Sequence, residues 1–144
     1  MKSATPTQHF YHIRDFQPST VPPFIYDLVL RQAQSWEQNN FDLAKDDWHP
    51  QGVLVSPAGE WATSELANAM QDFHQHFMDL QVTIKNIITS PNQDKLAVEW
   101  DWTVTRHRDG LQGTTPDAIL AELQDGKIIS WREYFDLSQS VEAK

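Results

Sequence analysis

The hydrophobic rhythm of the chain changes near residue 80, from helical spacing before it to a period of two beyond it. Pro22 and Pro23 suit the first turn of a helix. The segment that follows, FIYDLVLRQAQSW, puts Ile25, Leu28, Val29 and Trp36 on one face, with Gln32 at its centre. NNFDLAKDDW, residues 39–48, reads as a short second helix with Phe41, Ala44 and Trp48 inward, and HPQG breaks it. GVLVSP then reads as a short strand ended by Pro57, and AGEW as a turn. Thr63 is placed to cap a third helix. That helix spans SELANAMQDFHQHFMDL, residues 64–80, with a stripe of Leu66, Ala69, Met70, Phe73, Phe77 and Leu80.

The second half predicts four consecutive strands. VTIKNIIT is followed by a turn at SPNQD, then by KLAVEWDWTVTR, which alternates cleanly. Leu96, Val98, Trp100, Trp102 and Val104 share one face, and Ala97, Glu99, Asp101, Thr103 and Thr105 the other. HRDGLQGTTP reads as a loop, and DAILAEL and KIISWREYF as strands joined by a hairpin at QDG. Helices in one block and strands in another predict an α+β domain, with helices on one face of an antiparallel sheet. The domain spans residues 24–137, between an extended N-terminal arm (1–23) and a frayed tail (138–144). Phe10, Tyr11 and Phe16 give the arm something to pack with.

Four polar residues sit out of place in this pattern. On the last strand Glu133 shares a face with Ile129, Trp131 and Phe135. Asp117 shares one with Ile119, Ala121 and Leu123, Ser56 one with Leu54, and Gln32 interrupts the apolar helix face. A buried carboxylate is either paired or titrates abnormally. Arg31, Arg106 and Arg132 are the available partners. Without one, an apolar setting raises the carboxyl pKa toward the range a general acid or base needs.

Composition narrows the chemistry. The net charge of −9 and the lack of a basic patch argue against nucleic acid and anionic membrane surfaces as partners. Without cysteine there are no disulfides, thiolate metal sites or thiol nucleophiles. No stretch has the apolar length of a signal peptide or a membrane span, so a cytoplasmic protein is expected. His74 and His76 are two apart on a predicted helix, a spacing that does not chelate. His9 and His12 lie in the arm, and His49 and His107 are isolated, so no metal or other cofactor is expected. Neither a G-x-S-x-G nor a Gly-rich phosphate loop occurs. Six tryptophans in one small domain suggest a core that also lines an apolar pocket.

Three stretches carry a resemblance: VLVSPAGEW, where a strand ends in proline before a turn, AVEWDW on the long strand, and above all DGKIISWREYFD. Over Phe24 to Asp136 the chain resembles the nuclear transport factor 2-like superfamily, in particular its SnoaL-like branch of polyketide cyclases, limonene epoxide hydrolases and ketosteroid isomerases. The resemblance implies a strongly curved sheet wrapped around the helices as a cone with a deep pocket, and a homodimer through the open sheet face. The residue that matches Glu133 in the epoxide hydrolases is an acid acting inside the pocket. Their Arg and Asp of the long strand fall at Trp100 and Trp102. For ketosteroid isomerase the base falls at Ser56, the oxyanion-hole Tyr at Gln32, and the protonated Asp near Ile119, two residues from Asp117.

The expectation is therefore a pocket for a small hydrophobic molecule. Gln32, Ser56, Trp61, Phe73, Trp100, Trp102, Trp131 and Phe135 would touch the ligand, and Glu133 and Asp117 would be the catalytic candidates. The chemistry would be isomerisation, cyclisation or hydration. Two other readings stay open: a binding protein without chemistry, and a dimeric interaction domain whose pocket is filled.

Overall fold

The computed structural model describes residues 21–143, so the arm up to residue 20, with Phe10, Tyr11 and Phe16, lies outside the described residues. Pro22 and Pro23 begin helix α1 (Pro23–Glu37), which buries Ile25, Leu28, Val29, Gln32 and Ala33. The expected second helix is absent. Residues 41–43 and 45–47 form two single 3-10 turns, and Trp48 already belongs to strand β1 (Trp48–Ser56). The run is too short for a helix to propagate, and the Asn40 side chain accepts the Asp42 N–H, which favours a tight turn.

The expected turn at AGEW extends into strand β2 (Gly59–Ala62), which pairs antiparallel with β1. Thr63 does not cap the following helix. Its hydroxyl donates to the His49 and Gly52 carbonyls, and Glu65 accepts the Ala62 N–H instead. Helix α2 (Leu66–His76) is shorter than its apolar stripe. The chain turns into strand β3 (Phe77–Thr89), with Asp79 at φ 56° inside an irregular stretch of the pairing. Phe77 and Leu80 are buried all the same, as strand residues.

Strands β4 (Lys95–Arg106), β5 (Gln112–Gln124) and β6 (Lys127–Tyr134) complete a curved, unclosed six-stranded sheet in the order β2-β1-β6-β5-β4-β3. All pairings are antiparallel except β1 with β6, which is parallel. β5 begins inside the expected loop 107–116. At the expected hairpin Asp125 and Gly126 take φ 54° and 78°, the two left-handed positions of a type I′ turn.

The alternation read for β4 and β5 matches their burial: Leu96, Val98, Trp100, Val104, Asp117, Ile119, Ala121 and Leu123 are all buried. On β6 it fails at one point. Ser130 faces Glu122 and Ile128 faces Leu123, so Ile129 is the extra residue of a bulge. Ile128, which strict alternation sets on the face opposite Ile129, Trp131 and Glu133, is fully buried. The bulge leaves Trp131 and Glu133 on the inner face.

The tail is not frayed as expected. Residues 137–139 and 141–143 form 3-10 turns, and Ser140 and Val141 are buried. Arg106 Nη1 donates to the Val141 carbonyl at 3.0 Å. A Cβ on Gly113 would lie 2.5 Å from Val141 Cγ2, so glycine there makes room for the tail. Truncation after Asp136 uncovers this contact. It should lower stability by about 2 kcal/mol, the worth of one buried valine side chain, and increase binding of an apolar fluorescent dye. An unchanged melting temperature and dye signal would show that the tail is only loosely attached.

Candidate functional site

The register of the sheet decides which inner residues meet. Across it, Trp61 lies opposite Leu54, Leu54 opposite Trp131, and Trp131 opposite Ala121. Glu133 lies opposite Ile119, Trp100 opposite Asp117, and Trp102 opposite Thr115. The two carboxylates therefore come from neighbouring strands onto the same concave face. They reach the wall of a cavity of about 280 Å³ enclosed by the sheet, α1, α2 and the tail.

Six rings line this cavity: Trp36, Trp61, Phe73, Phe77, Trp102 and Phe135. Trp36, Phe73 and Trp102 contact one another edge to face, with centroids 5.6 to 6.0 Å apart. Its other lining residues include Asp117 and Glu133 in the sheet, Ser56 and Thr115, Asp72 on α2, and Ser140 and Glu142 from the tail. The cavity thus brings together seven of the residues expected from sequence: Ser56, Trp61, Phe73, Trp102, Asp117, Glu133 and Phe135.

Three expected ligand contacts lie elsewhere. Trp100 and Trp131 are 1% and 2% exposed, and Gln32 is 2% exposed; all three stand in the core behind the cavity wall. Their geometry gives them another task. Trp131 Nε1 donates to Glu133 Oε2 at 2.8 Å, and Trp100 Nε1 to Asp117 Oδ2 at 3.2 Å. Trp48 Nε1 donates to Gln32 Oε1 at 3.0 Å. Three of the four misplaced polar side chains, Gln32, Asp117 and Glu133, are each held by an indole N–H. The tryptophans divide accordingly: Trp48, Trp100 and Trp131 fix polar groups, while Trp36, Trp61 and Trp102 face the cavity.

Among the described residues the three arginines expected as partners are engaged elsewhere. Arg31 pairs with Asp47, Arg106 with Asp109, and Arg132 with Glu122. Asp117 is 6% exposed, and its Oδ1 receives no well-formed hydrogen bond from an N–H. The Glu133 carboxyl reaches Asp117 and hydrogen-bonds with it. Burial pushes the Glu133 pKa well above its ordinary value, and the Asp117 charge and their shared hydrogen bond add to the shift. Burial also raises Asp117, opposed by hydrogen bonds from Glu133, Trp100 and the Tyr134 amide. Both carboxyls are thus raised, the direction expected where two buried carboxyl groups in contact cannot both ionise freely. Glu142 is raised too, by burial of its carboxyl and by Asp117, although as a residue it is exposed to screening water.

Sequence reasoning missed the tail residues, Asp72 and Trp36 as wall. Thr115 was within reach, since it lies two residues before Asp117 on the same strand face. Ser56 lines the cavity, but its hydroxyl oxygen already accepts the Ala58 N–H at 3.1 Å. Among the described residues no three His, Asp or Glu side chains gather to hold a metal, and no helix is long and apolar enough to cross a membrane.

A family model described as "SnoaL-like domain" matches residues 29–131. Solved structures share the fold. A hypothetical protein with a ketosteroid isomerase-like fold from Catenulispora acidiphila, in complex with trimethylamine, superposes with a TM-score of 0.71 at 17% identity, over 78% of this chain and 88% of that one. TsrD from Streptomyces laurentii gives 0.73 at 13% identity, over 83% and 92%. A candidate polyketide cyclase from Pseudomonas putida gives 0.70 at 14% identity, over 81% and 94%. A comparison with curated proteins gives no significant match.

Proposed function

We propose that this chain, which belongs to the SnoaL-like domain family, binds a small, largely apolar molecule in its aromatic cavity and moves a proton on it with the Asp117–Glu133 pair. The observation that carries this reading is the contact between two carboxyl groups, Asp117 and Glu133, on the wall of an otherwise mostly apolar cavity. Apolar walls with a few oriented polar groups describe a small-molecule site. Two carboxyl groups with unequal hold on one proton can divide the work of base and acid. The Asp117 carboxylate takes a proton from the substrate, and Glu133 gives one to the atom where negative charge develops. The pair ends with the one proton it began with. Isomerisation, cyclisation and hydration all fit this exchange, and the names of the structural neighbours support that range only through the fold.

Trp100 and Trp131 act as positioning residues, because their N–H groups hold the carboxyls without lining the cavity. A carrier without chemistry is the second reading. It is favoured by the inner face of β4, where the position implied for a hydrolase arginine holds Trp100 and that for its aspartate Trp102. Native mass spectrometry of the purified protein separates the two. A small organic molecule should co-purify, and the parent should convert it when it is added back. Glu133→Gln should bind it and leave it unchanged. Binding by both with conversion by neither supports the carrier, and no bound molecule under any loading condition contradicts both readings.

The outer face of the sheet carries Ile88, Leu120 and Tyr134, all more than 40% exposed. Ile88 and Leu120 flank Ala97 in one cross-strand row. This apolar row supports the homodimer through the open face. Sedimentation equilibrium at micromolar concentration should give twice the chain mass, and a concentration-independent monomer would end that proposal.

A further inference from the structure

We propose that the molecule taken by this cavity is a protonated amine, its ammonium against Asp117 and its apolar substituents in the corner formed by Trp36, Phe73 and Trp102. The inference rests on reading the cavity as a small-molecule site and names the chemical class that fits it.

Three independent features point this way. The first is charge. Among the described residues no Lys, Arg or His lines the cavity beside these carboxyls, while Asp72, Asp117, Glu133 and Glu142 all line it. Arg31, Arg106 and Arg132 are engaged by Asp47, Asp109 and Glu122. An uncompensated charge away from water is unfavourable, and a bound cation relieves it.

The second is an unused acceptor. Asp117 is more than nine-tenths buried and lines the cavity, yet its hydrogen bonds with Glu133, Trp100 and the Tyr134 amide leave one of the roughly four acceptor sites of a carboxylate without a donor. An ammonium N–H supplies that donor as well as the charge, in a charge-assisted hydrogen bond. An anion would face the same oxygen with repulsion, and a neutral alcohol would satisfy the acceptor but not the charge.

The third is the wall. The three rings in mutual contact present edges and faces at steep angles, 64° to 88° between planes. Ring faces attract a cation and its polarised alkyl groups, most strongly for tryptophan, and two of the three are tryptophans. The exposed Asp72 and Glu142 give the wall the same sign of charge and favour entry of a cation.

The test compares benzylammonium, benzyl alcohol and benzoate by isothermal titration at pH 7.5 on the full chain. The three share a ring and differ chiefly in charge. The expected result is benzylammonium bound at least tenfold more tightly than benzyl alcohol, with no benzoate binding. In Asp117→Asn the preference for the amine should fall to within threefold, and in Glu133→Gln, which keeps the Asp117 charge, it should persist. Equal or tighter binding of benzyl alcohol would overturn the inference while leaving the cavity as a small-molecule site. Silence from all three probes up to millimolar concentration would overturn the site reading together with it. The comparison of probes on the parent protein stands even if Asp117→Asn does not fold.

Discussion

Glu133→Gln is expected to give a protein more stable than the parent at pH 8 and one whose stability depends less on pH. The physical reason is the shared proton. Glu133 and Asp117 are both raised in the folded state, from 4.5 and 3.8. A carboxyl raised on folding contributes its full stabilisation below its unfolded pKa and loses it as the pH climbs through the folded value. The parent should therefore lose stability as the pH rises from the unfolded values, about pH 4, toward the raised folded ones. Each unit of separation between folded and unfolded pKa is worth about 1.4 kcal/mol. Glutamine keeps an oxygen to accept the Trp131 N–H and offers Asp117 an N–H in place of the Glu133 hydrogen bond, without adding a second charge. Urea unfolding at pH 5, 6.5 and 8 reads the effect. The curves for parent and variant should diverge with rising pH, by on the order of 1–3 kcal/mol at pH 8. Parallel curves, or a variant weaker at pH 8, would mean that the two carboxyls do not share a proton.

Trp100→Ala should have the largest effect on folding. Its ring is 1% exposed and packs on Trp131 and Trp102, with centroids 5.8 and 6.3 Å away. Truncating a fully buried aromatic residue costs about 3–5 kcal/mol through lost burial and the void left behind. The loss here also strips Asp117 Oδ2 of its only indole donor. A fall in melting temperature of roughly 10 °C or more follows for a domain of this size. Trp61→Ala is the contrast. Trp61 is only partly buried and faces the cavity, so its loss should cost about 1 kcal/mol but weaken ligand binding. The two variants separate a tryptophan that builds the site from one that lines it. A Trp100→Ala protein within about 1 kcal/mol of the parent would contradict that division.

Much of this architecture was legible in the sequence, for a physical reason. Strands β4 and β5 are half-buried, so the period of two recorded which side chains enter the core, and Glu133 and Asp117 were visible as exceptions to it. What escaped notice depends on contacts that no local pattern carries. The bulge at Ile129 shifts β6 by one residue and turns Ile128 inward, which strict alternation cannot show. Residues 41–47 have helical spacing but make only separate 3-10 turns. The tail looks polar, yet Val141 is buried over Gly113 and held by Arg106, an arrangement that exists only once β4 and β5 are folded.

The site was legible in the same partial way. That polar groups stood among tryptophans was plain. Which tryptophans turn an N–H to a carboxyl, and which turn a face to the cavity, follows from register. Trp100 lies directly across from Asp117, and Trp131 two residues before Glu133 on one strand face, so both serve as donors. Trp102, one step further along β4, reaches the cavity. The resemblance to epoxide hydrolases and ketosteroid isomerases pointed to the right face of the sheet. The side chains there differ from those the resemblance implies, with Ser56, Gln32, Trp100 and Trp102 at the matching positions.

The most direct test of the account is a carboxyl 13C NMR titration of the protein labelled at Asp and Glu, with Asp117→Asn and Glu133→Gln to assign the pair. The account predicts that Glu133 stays protonated at pH values where a free glutamate has ionised, and that the signals of both residues respond to the same steps. Removing either partner should collapse the coupling and bring the remaining carboxyl down in pKa. Independent ionisation of both carboxyls in the ordinary acid range would contradict the shared proton, and with it the proposed chemistry of the cavity.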